Sequence, residues 1–426
     1  MNNKLKLGLI LSFALTVLTR VMTWHSKGGL FRRNGSANID DYLNSARLVA
    51  EGNIGALMSY RPTQLLYPIL LSPITRFGLS EDIYIFWLHM GLTLSTTFLI
   101  FMLGKKLLNP LFGVIAALAF SVFPLPFVWF TWAMTETLYY SLAILHVLVF
   151  FYALEKRTFL IGLLFTTILL AVTKLDVLPM IALSWAFIWL KYAGEAFGKP
   201  AARLSLLFFV VISTSSLVLS IASSPKLQSK LRQHFHVSVG LWVSTHTASN
   251  ANANEHNEAI ALQGQINPKE CYTAEGAALY GSVERCVRDF YSRIGIQFIR
   301  DNPARWMKMN WIRFTSHLMP AMYHTNWTPL YRFVHFSISF FVIFGASFSL
   351  VLAPNGNIRF FYFLALSTLA IPAIYEADAE LRFRIISQIM WLVIAPYGWL
   401  LALARIKLLS WLQPTLTPCT ISSKTN

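Results

Sequence analysis

Asp40 and Asp41 are adjacent carboxylates shortly after the first hydrophobic run of the chain, and Glu136 stands at the head of a later run. A carboxylate at a membrane surface can act as general base, taking the proton of an attacking hydroxyl for a gain of about 10² to 10⁴ in rate. The plainer role for the pair is a helix N-terminus, with Asp40 as N-cap, where aspartates accept backbone N–H bonds and favour the dipole. For Glu136, in Thr135-Glu136-Thr137, a solvated loop end competes with a functional role, since charge near membrane depth is costly. Cations stand at matching positions: Arg61 before Pro62, Lys174 with Asp176, and Arg382 with Arg384. Such groups suit a phosphate head at a lipid interface, or else snorkel from helix ends into water.

The elements that must hold these residues are membrane helices. The 426 residues are 55% hydrophobic and 13% charged, with mean hydropathy +0.53. A soluble domain averages about 25% charged residues. Apolar runs long enough for about 30 Å of hydrocarbon lie near Lys6 to Met22, Ile83 to Leu103, Leu111 to Phe130, Leu138 to Leu154 and Phe159 to Val172. Further runs lie near Val177 to Leu190, Leu204 to Ile221, Phe333 to Leu352, Phe360 to Ile374 and Ile385 to Ala404. The expected fold is therefore an all-α polytopic membrane protein with about ten transmembrane helices.

Short basic loops mark the cytoplasmic side. With the N-terminus inside, Lys105/Lys106, Lys156/Arg157, Lys191 to Arg203, Arg359 and Arg405/Lys407 all fall inside. The loops that carry Asp40/Asp41, Glu136, Lys174 and Arg382/Arg384 then face out. The short fifth run, ending at Lys174 and Asp176, is the weak point of this topology, because a re-entrant segment there would invert everything after it.

Four segments follow from the spans: 1–222 as the membrane catalytic module, 223–327 as a large external loop between the seventh and eighth spans, 328–410 as C-terminal membrane helices, and 411–426 as a tail. In the first external loop, Tyr42, Ala46, Val49 and Ala50 repeat at helical spacing. Pro62 to Phe77 is apolar but too short to cross, as an interfacial helix would be. In the large loop, Gly276 to Phe314 reads as two helices broken at Asp301-Asn302-Pro303, since proline favours a helix's first position. Cys271 and Cys286 fall in the same loop, either bridged, for about 3 kcal/mol on a loop-entropy account, or as two free thiols. His89 and His146 lie within spans and read as hydrogen-bonded packing groups rather than proton relays. The aromatics Phe127, Trp129, Phe130 and Trp132 read as an interfacial belt ahead of a sugar-stacking platform.

Five stretches together resemble the GT-C glycosyltransferases, integral-membrane enzymes that use polyprenyl-phosphate sugars and include protein O-mannosyltransferases and the lipid A aminoarabinose transferase. They are Asp40-Asp41-Tyr42-Leu43-Asn44-Ser45-Ala46-Arg47-Leu48, Arg61-Pro62-Thr63-Gln64-Leu65-Leu66-Tyr67-Pro68, Thr135-Glu136-Thr137-Leu138-Tyr139, Thr173-Lys174-Leu175-Asp176 and Glu380-Leu381-Arg382-Phe383-Arg384. The fourth departs from the family pattern, with Lys174 in place of arginine and the proline displaced to Pro179.

The resemblance implies sugar transfer from a polyprenyl-phosphate donor to a glycan, lipid or protein acceptor at the outer face, with inversion. Asp40 or Asp41 would be the base, Glu136 a second external acid, and Arg61, Lys174, Arg382 and Arg384 the donor-phosphate ligands. Some relatives bind a divalent metal near the two external acidic positions, which the resemblance places at Asp41 and Glu136 here. The implied location is a membrane, bacterial inner membrane ahead of endoplasmic reticulum. Two other classes compete: a lipid-linked glycan polymerase or ligase relying on Arg285, Arg288 and Arg293, and a flippase-type transporter, which would show paired interrupted helices in two halves. The net charge of +16 fits contact with anionic membrane lipids and calls for no nucleic acid.

Overall fold

Apolar runs without water must satisfy their own backbone, and here they do so as helices. The structure, a computed structural model, describes residues 3–30, 37–54, 65–201, 203–206, 269–273, 286, 289–290, 293, 296–297, 299–318, 329–370 and 381–405. Among these residues there is no strand. Four helices are long and apolar enough to cross a membrane: α1 (Asn3–Ser26), α4 (Glu81–Leu107), α7 (Glu136–Ala153) and the apolar part of α13 (Leu381–Arg405). The protein is thus an all-α membrane protein.

Between them lie α2 (Ala37–Ala50), α3 (Leu66–Phe77), α5 (Pro110–Val122), α6 (Leu125–Phe130), α8 (Leu160–Ala171), α9 (Leu178–Phe197), α10 (Pro303–Leu318), α11 (Pro329–Leu352) and α12 (Gly356–Ser367). The helix expected after the acidic pair is α2. It starts at Ala37, so Asp40 lies inside its first turn and is not the N-cap. The expected interfacial segment is α3, whose 12 residues span only about 18 Å at the usual rise.

The third expected run is not one helix. Asn109 caps α5 by accepting from the backbone N–H groups of Leu111 and Phe112 at 3.0 and 3.2 Å, with Pro110 at the first position. The helix stops at Val122 because Pro124 disfavours helical geometry in the residue before it, and Phe123 is extended. Short α6 and an irregular stretch then lead back to α7.

The chain divides into two compact units. The first comprises Met1–Ile181, Thr328–Thr368 and Arg384–Asn426; the second comprises Ala182–Trp327 and Leu369–Phe383. In the first unit α7 is the central post: 83% of its apolar window is buried, against 17% for α1. Leu7, Ile10, Leu11, Leu18 and Met22 of α1, and Ile161, Leu164, Phe165 and Ile168 of α8, are exposed. An apolar surface of this extent suits hydrocarbon rather than water.

Small residues and hydroxyls hold the spans together. A Cβ at Gly104 would meet Gly113 Cα at 2.8 Å, so α4 and α5 cross with their backbones nearly touching. Thr16 of α1 lies 3.1 Å from Thr97 Oγ1 of α4 and 2.9 Å from Ser121 Oγ of α5. Each hydroxyl also faces a carbonyl of its own helix: Thr16 that of Ser12, Thr97 that of Thr93, and Ser121 that of Ala117.

In the second unit a disulfide joins Cys271 and Cys286, resolving the two alternatives for these cysteines in favour of the bridge. Helix α10 begins at Pro303, where a proline's missing N–H costs nothing.

Candidate active site

One end of the first unit collects buried charge. Glu136 is the first residue of α7, where the helix dipole favours an acid. Lys174 follows α8 and immediately precedes a 3₁₀ turn, Leu175–Val177, that carries Asp176. The Lys174 ammonium is 3.7 Å from Glu136 Oε1 and 3.0 Å from Asp176 Oδ2, and it lies 5.3 Å from the centroid of the Tyr139 ring. The side chains of Glu136 and Lys174 are only 2% and 12% exposed. Glu136 Oε2 is buried with no hydrogen-bond partner among the described residues.

The segment between α1 and α4 is attached at this end. The backbone N–H groups of Leu65 and Leu66 donate to Val172 O at 2.8 and 3.2 Å, tying the start of α3 to the turn before Lys174. Tyr67, one residue on, is fully buried. Its ring meets Tyr42 of α2 edge-on at 5.5 Å, and its hydroxyl is 2.8 Å from His89 Nε2. His89 Nδ1 faces the Phe130 carbonyl at 2.8 Å and must donate to it, so in the neutral ring Nε2 accepts from Tyr67. Burial, then the neighbouring Tyr42 and the Glu136 charge, push the Tyr67 phenol well above its ordinary range.

The other buried histidine, His146, has Nδ1 3.0 Å from Thr166 Oγ1 and Nε2 without a hydrogen-bond partner among the described residues. Of the aromatics between Phe127 and Trp132, Phe130 is enclosed while Phe127, Trp129 and Trp132 are half-buried. Phe130 is fully buried against Trp24, Phe86 and His89, and Phe127 covers a buried arginine.

The structure therefore brings Glu136, Lys174 and Asp176 together, with Tyr67 and Tyr42 behind them. Asp40 and Asp41 sit in the first turns of α2, which packs on α3; their side chains lie outside what is described. Arg382 and Arg384 are in the first turn of α13, likewise by backbone alone, and Arg61 lies outside the described residues. Two carboxylates already engage Lys174, leaving the cluster a formal charge of −2 + 1 = −1. That balance suits hydroxyl groups better than an incoming phosphate.

Of the pair proposed for a divalent metal, Glu136 is held by Lys174 and the Asp41 side chain lies outside what is described. Among the described residues no three His, Cys, Asp or Glu side chains gather. In the second unit Arg293, one of the three arginines on which the ligase alternative relies, contacts Asp289 at 3.1 Å and Glu270 at 3.9 Å; Arg285 and Arg288 lie outside the described residues.

Sequence reasoning overlooked Arg20. It is fully buried in α1, with its guanidinium 4.1 Å from the Phe127 ring centroid and 5.7 Å from that of Phe120. The available signal was a lone arginine inside the apolar run Lys6 to Met22. A separate groove of about 270 Å³ lies between α1 and α4, lined by Val21, Trp24, His25, Asp82, Ile83, Phe86 and Trp87. It shares no wall residue with the Glu136 cluster.

The fold and site define a helical membrane protein with a buried, net acidic cluster at one end of its bundle. No family model matches the chain, and no curated protein matches it.

Proposed function

We propose that the protein is a GT-C glycosyltransferase that moves a sugar from a polyprenyl-phosphate donor to an acceptor hydroxyl at the outer face of a membrane. The observation that carries this reading is convergence. Four of the five stretches that resemble the family, through Tyr42, Tyr67, Glu136 and Lys174, meet at one end of one unit although they are far apart in sequence. The disulfide of the second unit fits an oxidising compartment for the segment that carries it. About ten crossings and a bacterial inner membrane belong to the same proposal.

In the proposed reaction the acceptor hydroxyl gives its proton to Asp40 or Asp41, and its oxygen bonds to the anomeric carbon. The bond from that carbon to the lipid phosphate breaks, the electron pair leaves with the phosphate, and configuration inverts. Preorganised cations lower the barrier most where negative charge develops. Arg61, Arg382 and Arg384 take that role. Lys174 holds Glu136 and Asp176 in place, and the unbonded Glu136 Oε2 accepts from a sugar or acceptor hydroxyl.

The test is mass spectrometry of envelope glycolipids and glycoproteins from cells with the intact gene, without it, and with Asp40→Asn plus Asp41→Asn. The expected result is loss of one sugar mass in both defective strains, with the variant protein still inserted in the membrane. Full transfer by the double variant would remove the aspartates as base. No mass change even in the deletion strain would sink the transferase reading.

A further inference from the structure

Arg20 carries an unanswered charge inside a membrane-spanning helix. It lies six residues before the end of α1, which is ~9 Å below that end at the usual rise. Among the described residues only Nη1 meets acceptors, and at long range: Thr19 Oγ1 at 3.2 Å and Ser121 O at 3.5 Å. Thr19 gives its single proton elsewhere, with the carbonyls of Leu15, Thr16 and Ser121 all within reach. Nε and Nη2 are buried without any hydrogen-bond partner among the described residues, and no described carboxylate forms an ion pair with Arg20.

The two unsatisfied nitrogens are chemically specific. Nε–H and the adjacent Nη2–H form one edge of the planar guanidinium, and their parallel bonds match two oxygens of one oxyanion. Phe127 lies against one face of the guanidinium, and the Nε–Nη2 edge is enclosed away from solvent. A buried guanidinium with neither counterion nor full hydrogen bonding is costly, so intramembrane charges of this kind mark functional positions.

We propose that Arg20 is the core of an oxyanion site within the bundle, which takes a phosphate group through its Nε–Nη2 edge. Two sources share that chemistry, a lipid phosphate drawn in from the headgroup layer and free inorganic phosphate. The site lies one turn below the Glu136 end, beside Tyr140 of α7. It stands apart from the sugar-transfer reading, because its test measures binding and needs no turnover.

The full chain would be reconstituted in phosphatidylcholine nanodiscs as wild type, Arg20→Gln and Arg20→Lys, and titrated with radiolabelled dodecyl phosphate. Saturable retention by wild type is expected, weakened about tenfold or more in Arg20→Gln, a loss of about 1.4 kcal/mol. Arg20→Lys should fall between them, because it keeps the charge and loses the fork. Displacement by inorganic phosphate would assign a free-phosphate site, and resistance to displacement would assign a lipid-borne phosphate. Should Arg20→Gln fail to fold, the lysine variant and wild-type saturation carry the test. Equal retention by folded wild type and variants, or no saturable retention by wild type, would overturn the proposal and leave the guanidinium to buried water.

Discussion

The two ends of the first unit each place a lysine against a glutamate from another helix, and burial makes them different objects. At one end Lys106 of α4 pairs with Glu155 just after α7, with side chains 16% and 34% exposed, and the ammonium stands 4.7 Å from the centroid of the Tyr152 ring. At the other, Lys174 meets Glu136 and Asp176, all three largely enclosed. Exposed pairs are screened and contribute about 0 to 1 kcal/mol. Enclosed charges lose hydration, so the pairing offsets a penalty that would otherwise be several kcal/mol. The first end closes a turn; the second retains charge in a place where charge is hard to keep.

The sharpest way to break this comparison is Lys174→Met. It leaves two buried carboxylates without their cation and should destabilise the protein by about 3 to 5 kcal/mol, read as a lowered melting temperature in detergent, with transfer lost. Adding Glu136→Gln and Asp176→Asn should recover most of the stability but none of the transfer. Recovered transfer would show that the cluster is structural only.

A smaller effect is expected from Tyr67→Phe. It leaves a buried nitrogen of His89 without its donor, a loss of about 1 to 3 kcal/mol. The same phenol gives a pH signature. Its folded value lies above the unfolded one, so above pH about 10 the unfolded chain releases a proton that the folded chain keeps. Its contribution is fully present below that pH and is lost as pH rises further. Denaturation curves above and below that pH should show the loss in wild type and less of it in Tyr67→Phe. The least effect belongs to Lys106→Ala, with stability changed by about 1 kcal/mol or less and transfer unchanged. A large loss of transfer there would erase the distinction between the ends.

Local signals carried much of this architecture, and long-range packing carried the rest. Apolar runs at Ile83 to Leu103 and Leu138 to Leu154 correspond to α4 and α7, since both are uninterrupted and bounded by charge. Pro124 was visible too, yet the run around it remained hydrophobic enough to pass for a continuous span. Lys174 beside Asp176 was legible from adjacency; its approach to Glu136 was not, because α7 and α8 must pack before the two meet. Tyr67 to His89 and Arg20 to Phe127 lie further beyond sequence reach. In each case a residue distant in sequence decides whether the side chain faces lipid, water or protein.

The Ser and Thr hydroxyls between α1, α4 and α5 have a consequence for biosynthesis. Since each already faces a carbonyl of its own helix, a newly made span can pass from the ribosome into lipid without dragging a bare polar group through it. Contacts between spans then need only a turn of an O–H bond, so the order in which helices emerge need not match the order in which they dock. Arg20 is the exception on α1: among the described residues no carbonyl of its own helix meets its guanidinium, and α5 and α6 supply the carbonyl and the rings around it.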